Sequence, residues 1–547
     1  MKRMLVVLMA VATTVGVVAQ TPRRGTAPPA PVGPPKLVVM LVVDQFRADY
    51  AQTYGAQWTG GLHRLFTTGA YFPQAAYPYA VTKTCAGHAS IGTGMLPSTH
   101  GLIDNTWWDR SARKAVTCTE DADATSIAFG GATGTEHHSA KWLRVPTFTD
   151  ELRLQSRQPP KIVSISLKPR SAIGLAGHGG PNTWVLWEED IGTWATSSAY
   201  AKTSWPEANA FVAAHPITAP RGQTWNRILP ASAYLYDDKA PGEPTRNTFP
   251  YVLEPPPNQT VLTYPTVWEK SPWSDEYIGE FAMALAGDLK LGQGPGTDVL
   301  AISFSALDLM GHDFGPRSHE VQDLMARLDL LLGRLFAQLD RAVGPDKYVV
   351  ALSADHGIPP MPEQAAALGI AAGRLSTTLV RQAIETALTP ALGEGTHVAN
   401  ITSPYVYFAP GVLDRIETSR GLRSAISEGI RNVPGVWRVY WADEIAAAPA
   451  TDDTILTALR KSYVAGRSGD VAFIPLPYWV PQAGGVTHGS PHGYDQQVPV
   501  VFMGAGIKPG VYNVSATPID IAPTLAALTG LHLAHTDGRV LTEILVR

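Results

Sequence analysis

Five short apolar runs constrain the fold of this chain more than any other feature. Each has five to seven residues and is rich in Val, Ile and Leu, which is typical of strands buried on both faces of a parallel sheet. The runs are Leu37–Val43, Ile162–Leu167, Val299–Phe304, Tyr348–Leu352 and Val498–Met503. Helical patterns lie between them, most clearly Glu320–Arg341 with its leucine-rich stripe. The alternation predicts a doubly wound α/β fold, with a mostly parallel central sheet and helices on both faces.

Acidic residues follow three of these runs. Asp44 comes directly after the first run, Asp308 follows the third, and Asp355 with His356 follows the fourth. Ligand sites in open α/β sheets lie outside the carboxyl ends of the strands. We therefore expect the three carboxylates to meet at one edge of the sheet, although they are far apart in the sequence.

The folded region is predicted to be one domain, 37–547, with insertions near 109–160, 180–280 and 360–485. The last two stretches are rich in Pro, Trp, Tyr and Gly and are too long for simple loops, so we expect inserted cap segments over the sheet edge. The chain is 45% hydrophobic and 16% charged with a net charge of −4. These values exclude a disordered chain and give no general reason for a nucleic-acid partner.

The N-terminus has the pattern of a secretory signal peptide at 1–19. Lys2 and Arg3 precede an apolar stretch, and the small residues ending at Ala19 suit cleavage. A membrane anchor is the alternative, but the stretch is shorter than the roughly 20 apolar residues that a span needs. Residues 20–36 are proline-rich and predict an extended linker. We expect a periplasmic or secreted protein with no stable membrane anchor.

Only two cysteines are present, Cys85 and Cys118. In an oxidising compartment they are able to pair, but the sequence alone leaves open whether they do.

Carboxylates and imidazoles in this sequence have the spacing of metal ligands. Asp308 and His312 are four residues apart and would share one face of a helical turn. Asp355 and His356 are adjacent at a strand end, and His488 lies in a Gly-rich loop, with His492 as its rival. With Asp44 these residues suffice for two metal ions, and the mixture of carboxylate and imidazole favours Zn²⁺. Singly, each has an ordinary explanation, such as an Asp that caps a helix.

The segment 82–94 is dense in small and hydroxyl residues. A helix that begins near Thr84 would direct its first N–H groups at an anion. The Thr84 hydroxyl, deprotonated beside a metal ion, would then be a nucleophile toward phosphorus or sulfur. The alternative is that Thr84 is only a helix N-cap.

Taken together, these segments resemble the alkaline phosphatase superfamily. The blocks that carry the resemblance occur in the family's order and span about 37 to 540. They are Asp44-Gln-Phe-Arg47, Thr84-Cys-Ala-Gly-His88, Thr93-Gly94, Pro97, His100-Gly101, Asp104-Asn105, Asp308-x3-His312, Phe314-Gly-Pro316, Ser353-Ala-Asp-His-Gly357 and Thr487-His-Gly489. The resemblance implies that 37–547 is an alkaline phosphatase-like catalytic domain.

Two features indicate a subgroup. Nucleotide pyrophosphatase/phosphodiesterases share a threonine nucleophile with an asparagine 21 residues later, as Thr84 and Asn105 are here (105 − 84 = 21). Lys168 and Arg170 resemble the Lys-x-Arg pair of the phosphate-irrepressible, PafA-type alkaline phosphatases, which are monoesterases. An ammonium and a planar guanidinium match the dianionic terminus of a monoester. The alternative for this pair is a solvated turn.

The resemblance also implies roles for the site residues. Thr84 would form a phosphothreonine, while Asn105, Lys168 and Arg170 would bind the phosphate oxygens. Two zinc ions are implied, with no third site; Ca²⁺ or Mg²⁺ elsewhere is left open. One zinc would be held by Asp44, Asp355, His356 and the Thr84 oxygen, and the other by Asp308, His312 and His488.

The resulting hypothesis is a metal-dependent alkaline phosphatase that acts on small phosphate monoesters, expected to be a monomer. A phosphodiesterase or nucleotide pyrophosphatase of the same superfamily is the first alternative. A non-catalytic phosphate- or metal-binding protein is the alternative of another class. A sulfatase fits less well, because Cys85 is followed by Ala-Gly-His rather than by the Pro-x-Arg of a sulfatase motif.

Overall fold

The computed structural model describes residues 33–189, 192–257, 262–447 and 451–546. The predicted signal peptide, 1–19, and most of the predicted linker, 20–36, lie outside these residues. The limits of the domain and of its three insertions stay a prediction. Within the described ranges, no helix has both the length and the apolar character that a membrane span requires.

The strands follow one another along the chain. They are β1 (Leu37–Val43), β2 (Ala70–Phe72), β3 (Thr106–Asp109), β4 (Lys114–Thr117), β5 (Ser126–Ala128), β6 (Ile162–Ser166), β7 (Thr183–Glu189), β8 (Thr193–Ser197), β9 (Thr224–Trp225), β10 (Tyr251–Val252), β11 (Asp298–Phe304), β12 (Tyr348–Ser353), β13 (Gly373–Arg374), β14 (Val398–Thr402), β15 (Tyr405–Phe408), β16 (Val436–Trp441), β17 (Val471–Pro475), β18 (Trp479–Val480), β19 (Val500–Gly504) and β20 (Gly510–Val511).

The α-helices alternate with the strands. They are α1 (Tyr50–Tyr54), α2 (Gly61–Thr68), α3 (Thr84–Thr93), α4 (Pro97–His100), α5 (Phe148–Gln155), α6 (Pro169–Ala176), α7 (Pro206–Ala214), α8 (Tyr264–Glu269), α9 (Pro272–Asp288), α10 (Ala306–Phe314), α11 (His319–Ala342), α12 (Pro362–Ala367), α13 (Thr377–Leu392), α14 (Val412–Thr418), α15 (Leu422–Arg431), α16 (Ala442–Ala447), α17 (Thr454–Ser462), α18 (Gly493–Gln496) and α19 (Ile521–Thr529).

Ten of the strands form one central sheet, in the order β20-β2-β19-β12-β1-β11-β6-β7-β8-β5. The five strands at its centre, β12-β1-β11-β6-β7, are all parallel. Strand β19 runs antiparallel to β12, and β8 runs antiparallel to β7. The predicted mostly parallel α/β sheet is therefore confirmed.

Strand β1 shows why helices cover both faces of this sheet. All seven of its residues are buried. Leu37 and Val39 pack into one apolar cluster with residues of α9 and α11, while Val38 and Met40 pack into another with residues of α3, α5 and α19. Successive side chains of a strand point to opposite faces, so a strand with apolar residues throughout needs a helical layer on each side.

The parallel prediction was wrong for the run Val498–Met503. It forms β19, Val500–Gly504, which is antiparallel to β12. A continuous apolar run indicates that a strand is buried on both faces. It does not indicate whether the neighbouring strand runs parallel or antiparallel to it.

A second sheet, β14-β15-β17-β16, lies within the predicted insertion 360–485. One face packs against α13 and α15, for example through Val406 and Phe473. The other face contributes Tyr405 and Ala472 to a cluster that also contains Cys85 of α3. This sheet therefore supports the helix that begins at Thr84.

Candidate active site

Thr84 is the first residue of α3, and its side chain is buried. The extended residue Lys83 is the N-cap, so the interpretation of Thr84 as an N-cap is wrong. The Thr84 hydroxyl oxygen lies 3.5 Å from Nε2 of His356 and 3.5 Å from Nδ2 of Asn105. Asn105 is fixed in turn, because the Cys85 N–H donates to its Oδ1 at 2.8 Å. The hydroxyl is thus placed between a predicted metal ligand and a predicted phosphate ligand.

Three buried carboxylates and one ammonium lie beside this hydroxyl. Asp44 follows β1, Asp355 follows β12, and Asp308 lies in α10 after β11, so the structure brings the three acids to one sheet edge. The Lys168 ammonium donates to Oδ2 of Asp44 at 2.6 Å and to Oδ2 of Asp308 at 2.5 Å. Burial, with repulsion from Asp308 and Asp355, raises the pKa of Asp44 to about 7. One lysine does not neutralise three carboxylates, so this edge favours the binding of further positive charge, either a proton or a metal ion.

The three predicted imidazole ligands are oriented in the same way. In each, Nδ1 lies close enough to a main-chain carbonyl to donate to it: 2.7 Å for His312 to Val486, 3.1 Å for His356 to Gly357 and 2.8 Å for His488 to Thr82. This tautomer leaves Nε2 free to bind a metal ion, and such backbone acceptors typically orient metal-binding histidines. Burial lowers the pKa of His356 to about 4 and that of His488 well below its usual value, which keeps both rings neutral.

The ligand atoms fall into two groups. Asp44, Asp355 and His356 form one, and Asp308, His356 and His488 form the other, with the atoms of each group within 4.8 Å of one another. His356 belongs to both groups, and its ring stacks on that of His488 with the centroids 3.4 Å apart. His312 is adjacent to the second, with its Nε2 3.2 Å from Oδ1 of Asp308.

Two oxygen atoms test whether metal ions fit here. Oδ1 of Asp44 and Oδ2 of Asp355 are buried and have no hydrogen-bond partner among the described residues. Buried carboxylate oxygens without a partner are costly unless a cation binds them. Carboxylate oxygen and imidazole nitrogen are also the donor set expected for Zn²⁺. The residues therefore fit a metal centre.

His492, the rival to His488, lies outside both groups. Its Nε2 is 2.9 Å from the main-chain carbonyl of Pro475, and its ring stacks on Trp437. The geometry thus favours His488.

The predicted phosphate-binding residues are divided between two places. Asn105 and Arg170 line a cavity of about 580 Å³, together with Lys114 and Glu136. Nε of Arg170 is buried and has no hydrogen-bond partner in the described part of the chain. Lys168 instead lies between the carboxylates of Asp44 and Asp308.

Sequence reasoning missed one imidazole of the site. His88 is fully buried, with Nδ1 2.9 Å from the carbonyl of Thr84 and Nε2 2.8 Å from the Ser303 hydroxyl. The same Nδ1 is 3.4 Å from Oδ2 of Asp355. Its position four residues after Thr84 in a helix was the available signal.

Cys85 and Cys118 form a disulfide bond that joins α3 to the residues after β4. The Cys118 N–H donates to the main-chain carbonyl of Asn105 at 3.0 Å, while the Cys85 N–H donates to its side chain. The disulfide therefore holds both segments that position Asn105 beside Thr84.

Removing this disulfide should destabilise the protein. The bond closes a loop with a sequence separation of 33. Loop-closure entropy for that length corresponds to about 3–4 kcal/mol of unfolding free energy. We expect the double variant Cys85→Ser, Cys118→Ser to lose about that amount in denaturant titrations that follow Trp fluorescence. An unfolding free energy equal to that of the wild type would contradict the prediction.

Comparison with known proteins places the chain in a family. Residues 38–495 match the family model described as type I phosphodiesterase / nucleotide pyrophosphatase. The chain belongs to this family, and with it to the alkaline phosphatase superfamily.

Two curated relatives of this chain are named alkaline phosphatases. PhoV of Synechococcus elongatus is 30% identical over 94% of this chain and 94% of its own length. PafA of Elizabethkingia meningoseptica is 31% identical over 94% of this chain and 95% of its own.

The crystal structure of wild-type alkaline phosphatase PafA superposes with a TM-score of 0.86 at 30% identity, covering 94% of this chain and 100% of that one. A solved variant of PafA replaces a threonine by serine, and an asparagine, a lysine and an arginine by alanine.

Proposed function

We propose that the protein is a metal-dependent alkaline phosphatase that hydrolyses phosphate monoesters through a phosphothreonine intermediate. One observation carries the proposal. The Thr84 hydroxyl, at the start of a buried helix, lies 3.5 Å from both Asn105 and His356, beside two groups of metal-ligand atoms. The names of the relatives PhoV and PafA support the same activity.

Two zinc ions are part of the proposal. The first would be held by Asp44, Asp355, His356 and the Thr84 oxygen, and the second by Asp308, His312 and His488. When bound, such ions lower the pKa of a hydroxyl and stabilise charge on the attacking and departing oxygens. The unpartnered oxygens of Asp44 and Asp355 support the first set, and the contacts of His312 and His488 with Asp308 support the second.

The reaction then proceeds in two steps at Thr84, with Asn105 bound to the phosphate in both. The Thr84 oxygen attacks phosphorus, and the bond from phosphorus to the ester oxygen breaks, releasing the alcohol. Water then attacks the phosphothreonine, which releases inorganic phosphate and restores the Thr84 hydroxyl. Throughout, the Asn105 amide donates to a non-bridging oxygen, which stays highly charged in a loose transition state.

Lys168 and Arg170 suit a monoester because it presents two negative charges. Lys168 pairs with Asp44 and Asp308 in the structure, and metal ions bound to those carboxylates would free its ammonium for a phosphate oxygen. The PafA variant supports this assignment. Its threonine and asparagine are 21 positions apart and its lysine and arginine two apart, as are Thr84 and Asn105, and Lys168 and Arg170.

The family match favours a phosphodiesterase as the second candidate, since the family is described by that activity. A direct comparison of rates on an aryl phosphate and on its methyl diester separates the two. A higher kcat/KM on the monoester supports the proposal, and a higher value on the diester contradicts it. Phosphate binding without release from either ester would indicate a non-catalytic binding protein.

Metal removal should abolish the activity and weaken the fold. Without metal ions the three buried carboxylates repel one another, and the Lys168 ammonium pairs with only two of them, Asp44 and Asp308. We expect treatment with a chelator, followed by its removal, to eliminate phosphate release and to lower the Tm, and two equivalents of Zn²⁺ to restore both. Metal content per chain is measured alongside. Full activity in the metal-free protein would contradict this prediction.

We also propose that the chain is a periplasmic or secreted monomer after cleavage of 1–19. The Cys85–Cys118 disulfide supports an oxidising compartment, where such bonds persist.

A further inference from the structure

Gln45, next to Asp44, has an unusual backbone conformation. Its φ is +69°, in the left-handed region that non-glycine residues rarely adopt. Its side chain is fully buried. Such a conformation costs free energy and persists only where surrounding contacts hold it, often at functional sites.

Gln45 contacts both groups of metal-ligand atoms. Its main-chain N–H donates to Oδ1 of Asp355 at 3.1 Å, and its Nε2 donates to Oδ1 of Asp308 at 2.6 Å. One residue thus reaches a carboxylate of the first group and a carboxylate of the second.

The hydrogen bond from the Gln45 N–H determines which carboxylate oxygen of Asp355 remains available to bind a metal ion. Oδ1 of Asp355 accepts from the N–H groups of Gln45 and His356, both at 3.1 Å. Oδ2 has no hydrogen-bond partner within the described ranges and lies 3.3 Å from Nε2 of His356. The left-handed conformation of Gln45 therefore satisfies one oxygen and leaves the other facing the first group.

The amide of Gln45 packs against Gly311 of α10. A methyl group on Gly311 would lie 1.8 Å from Oε1 of Gln45, so with alanine at 311 the amide would have to move from its present position. A glycine inside a helix is unfavourable relative to alanine. The close approach brings the amide against the helix that carries both Asp308 and His312.

We propose that Gln45 is a positioning residue that orients the carboxylates of Asp355 and Asp308 for metal binding. The inference rests on the proposed metal sites. The experiment below measures metal binding rather than turnover. The role of Gln45 can therefore be tested even if the protein shows no phosphatase activity.

Two variants separate positioning from packing. Gln45→Gly keeps the main-chain N–H, suits a positive φ and removes the whole side chain with its amide. Gln45→Met keeps the approximate volume and removes the amide donor. Zn²⁺ affinity of each full-length protein is measured by competition with a chromogenic chelator, and the Tm of the metal-free forms is measured in parallel.

We expect both variants to bind at least one Zn²⁺ about 10–100-fold more weakly than the wild type, the usual effect of losing a group that orients a metal ligand. The Tm of each metal-free variant establishes whether it folds, so that weaker binding in a folded variant reports the loss of the amide. Weaker binding in Gln45→Gly alone would indicate a cavity effect and overturn the proposal, as would wild-type affinity in both variants.

Discussion

Thr84→Ala should lower kcat on phosphate monoesters by on the order of 10⁴- to 10⁶-fold, the size of loss seen when a catalytic nucleophile is removed. The substitution deletes the hydroxyl oxygen that lies 3.5 Å from both Asn105 and His356. The variant should still fold, because that hydroxyl makes no helix-capping bond. Steady-state assays at saturating metal, with zinc content measured on the same samples, give the result.

Thr93→Ala is a matched control on the same helix. The Thr93 hydroxyl donates to the carbonyl of Ala89 at 2.6 Å and lies at the opposite end of α3 from Thr84. We expect Thr93→Ala to lose stability rather than turnover. A second variant, Thr84→Ser, keeps a hydroxyl and should retain a large part of the activity. Activity of Thr84→Ala near that of the wild type would exclude Thr84 as the nucleophile.

Lys168→Ala and Arg170→Ala should alter selectivity as well as rate. Each removes a cation that we assign to the dianionic phosphate of a monoester, and the loss of one such donor typically costs about 10²- to 10³-fold in rate. A methyl diester carries one negative charge fewer, so its hydrolysis should fall much less. The ratio of kcat/KM on the two esters is the quantity to measure.

Lys114→Ala is the control for these two variants. Lys114 lines the same cavity as Arg170, but its ammonium pairs with Glu120 at 2.5 Å. We expect Lys114→Ala to change the ratio of kcat/KM on monoester and diester only slightly.

Because Lys168 also contacts Asp44 and Asp308, zinc content has to be measured for Lys168→Ala. Equal losses on monoester and diester would contradict the monoesterase assignment.

The sequence predicted the central sheet well because its signal is local. β1 was predicted as Leu37–Val43, its observed bounds, and the helix predicted at Glu320–Arg341 is α11, His319–Ala342. The carboxyl-edge rule then brought Asp44, Asp308 and Asp355 together. The direction of β19 was mispredicted because strand pairing depends on partners elsewhere in the chain.

The less predictable parts of the site depend on three-dimensional proximity. His356 belongs to both ligand groups because the fold brings His488, more than 130 residues away in the sequence, against its ring. Gln45 lay inside a recognised motif, but its contact with Asp308 depends on how its amide packs against Gly311 of α10. The pairing of Lys168 with Asp44 and Asp308, likewise, follows from the order of β6, β11 and β1 in the sheet.

The position of β1 in the sheet has a consequence for biosynthesis. Its neighbours are β11 and β12, which begin at Asp298 and Tyr348, so the first strand synthesised lies between strands made much later. At about 5–20 residues per second, roughly 15–60 s separate completion of β1 from completion of β12. Until residue 304 completes β11, a strand of seven apolar residues has neither partner and is exposed to aggregation, and β12 is added later still. Asp44, at its end, meets Asp355 only after this delay, so the first group of ligand atoms is completed late in the synthesis of the chain.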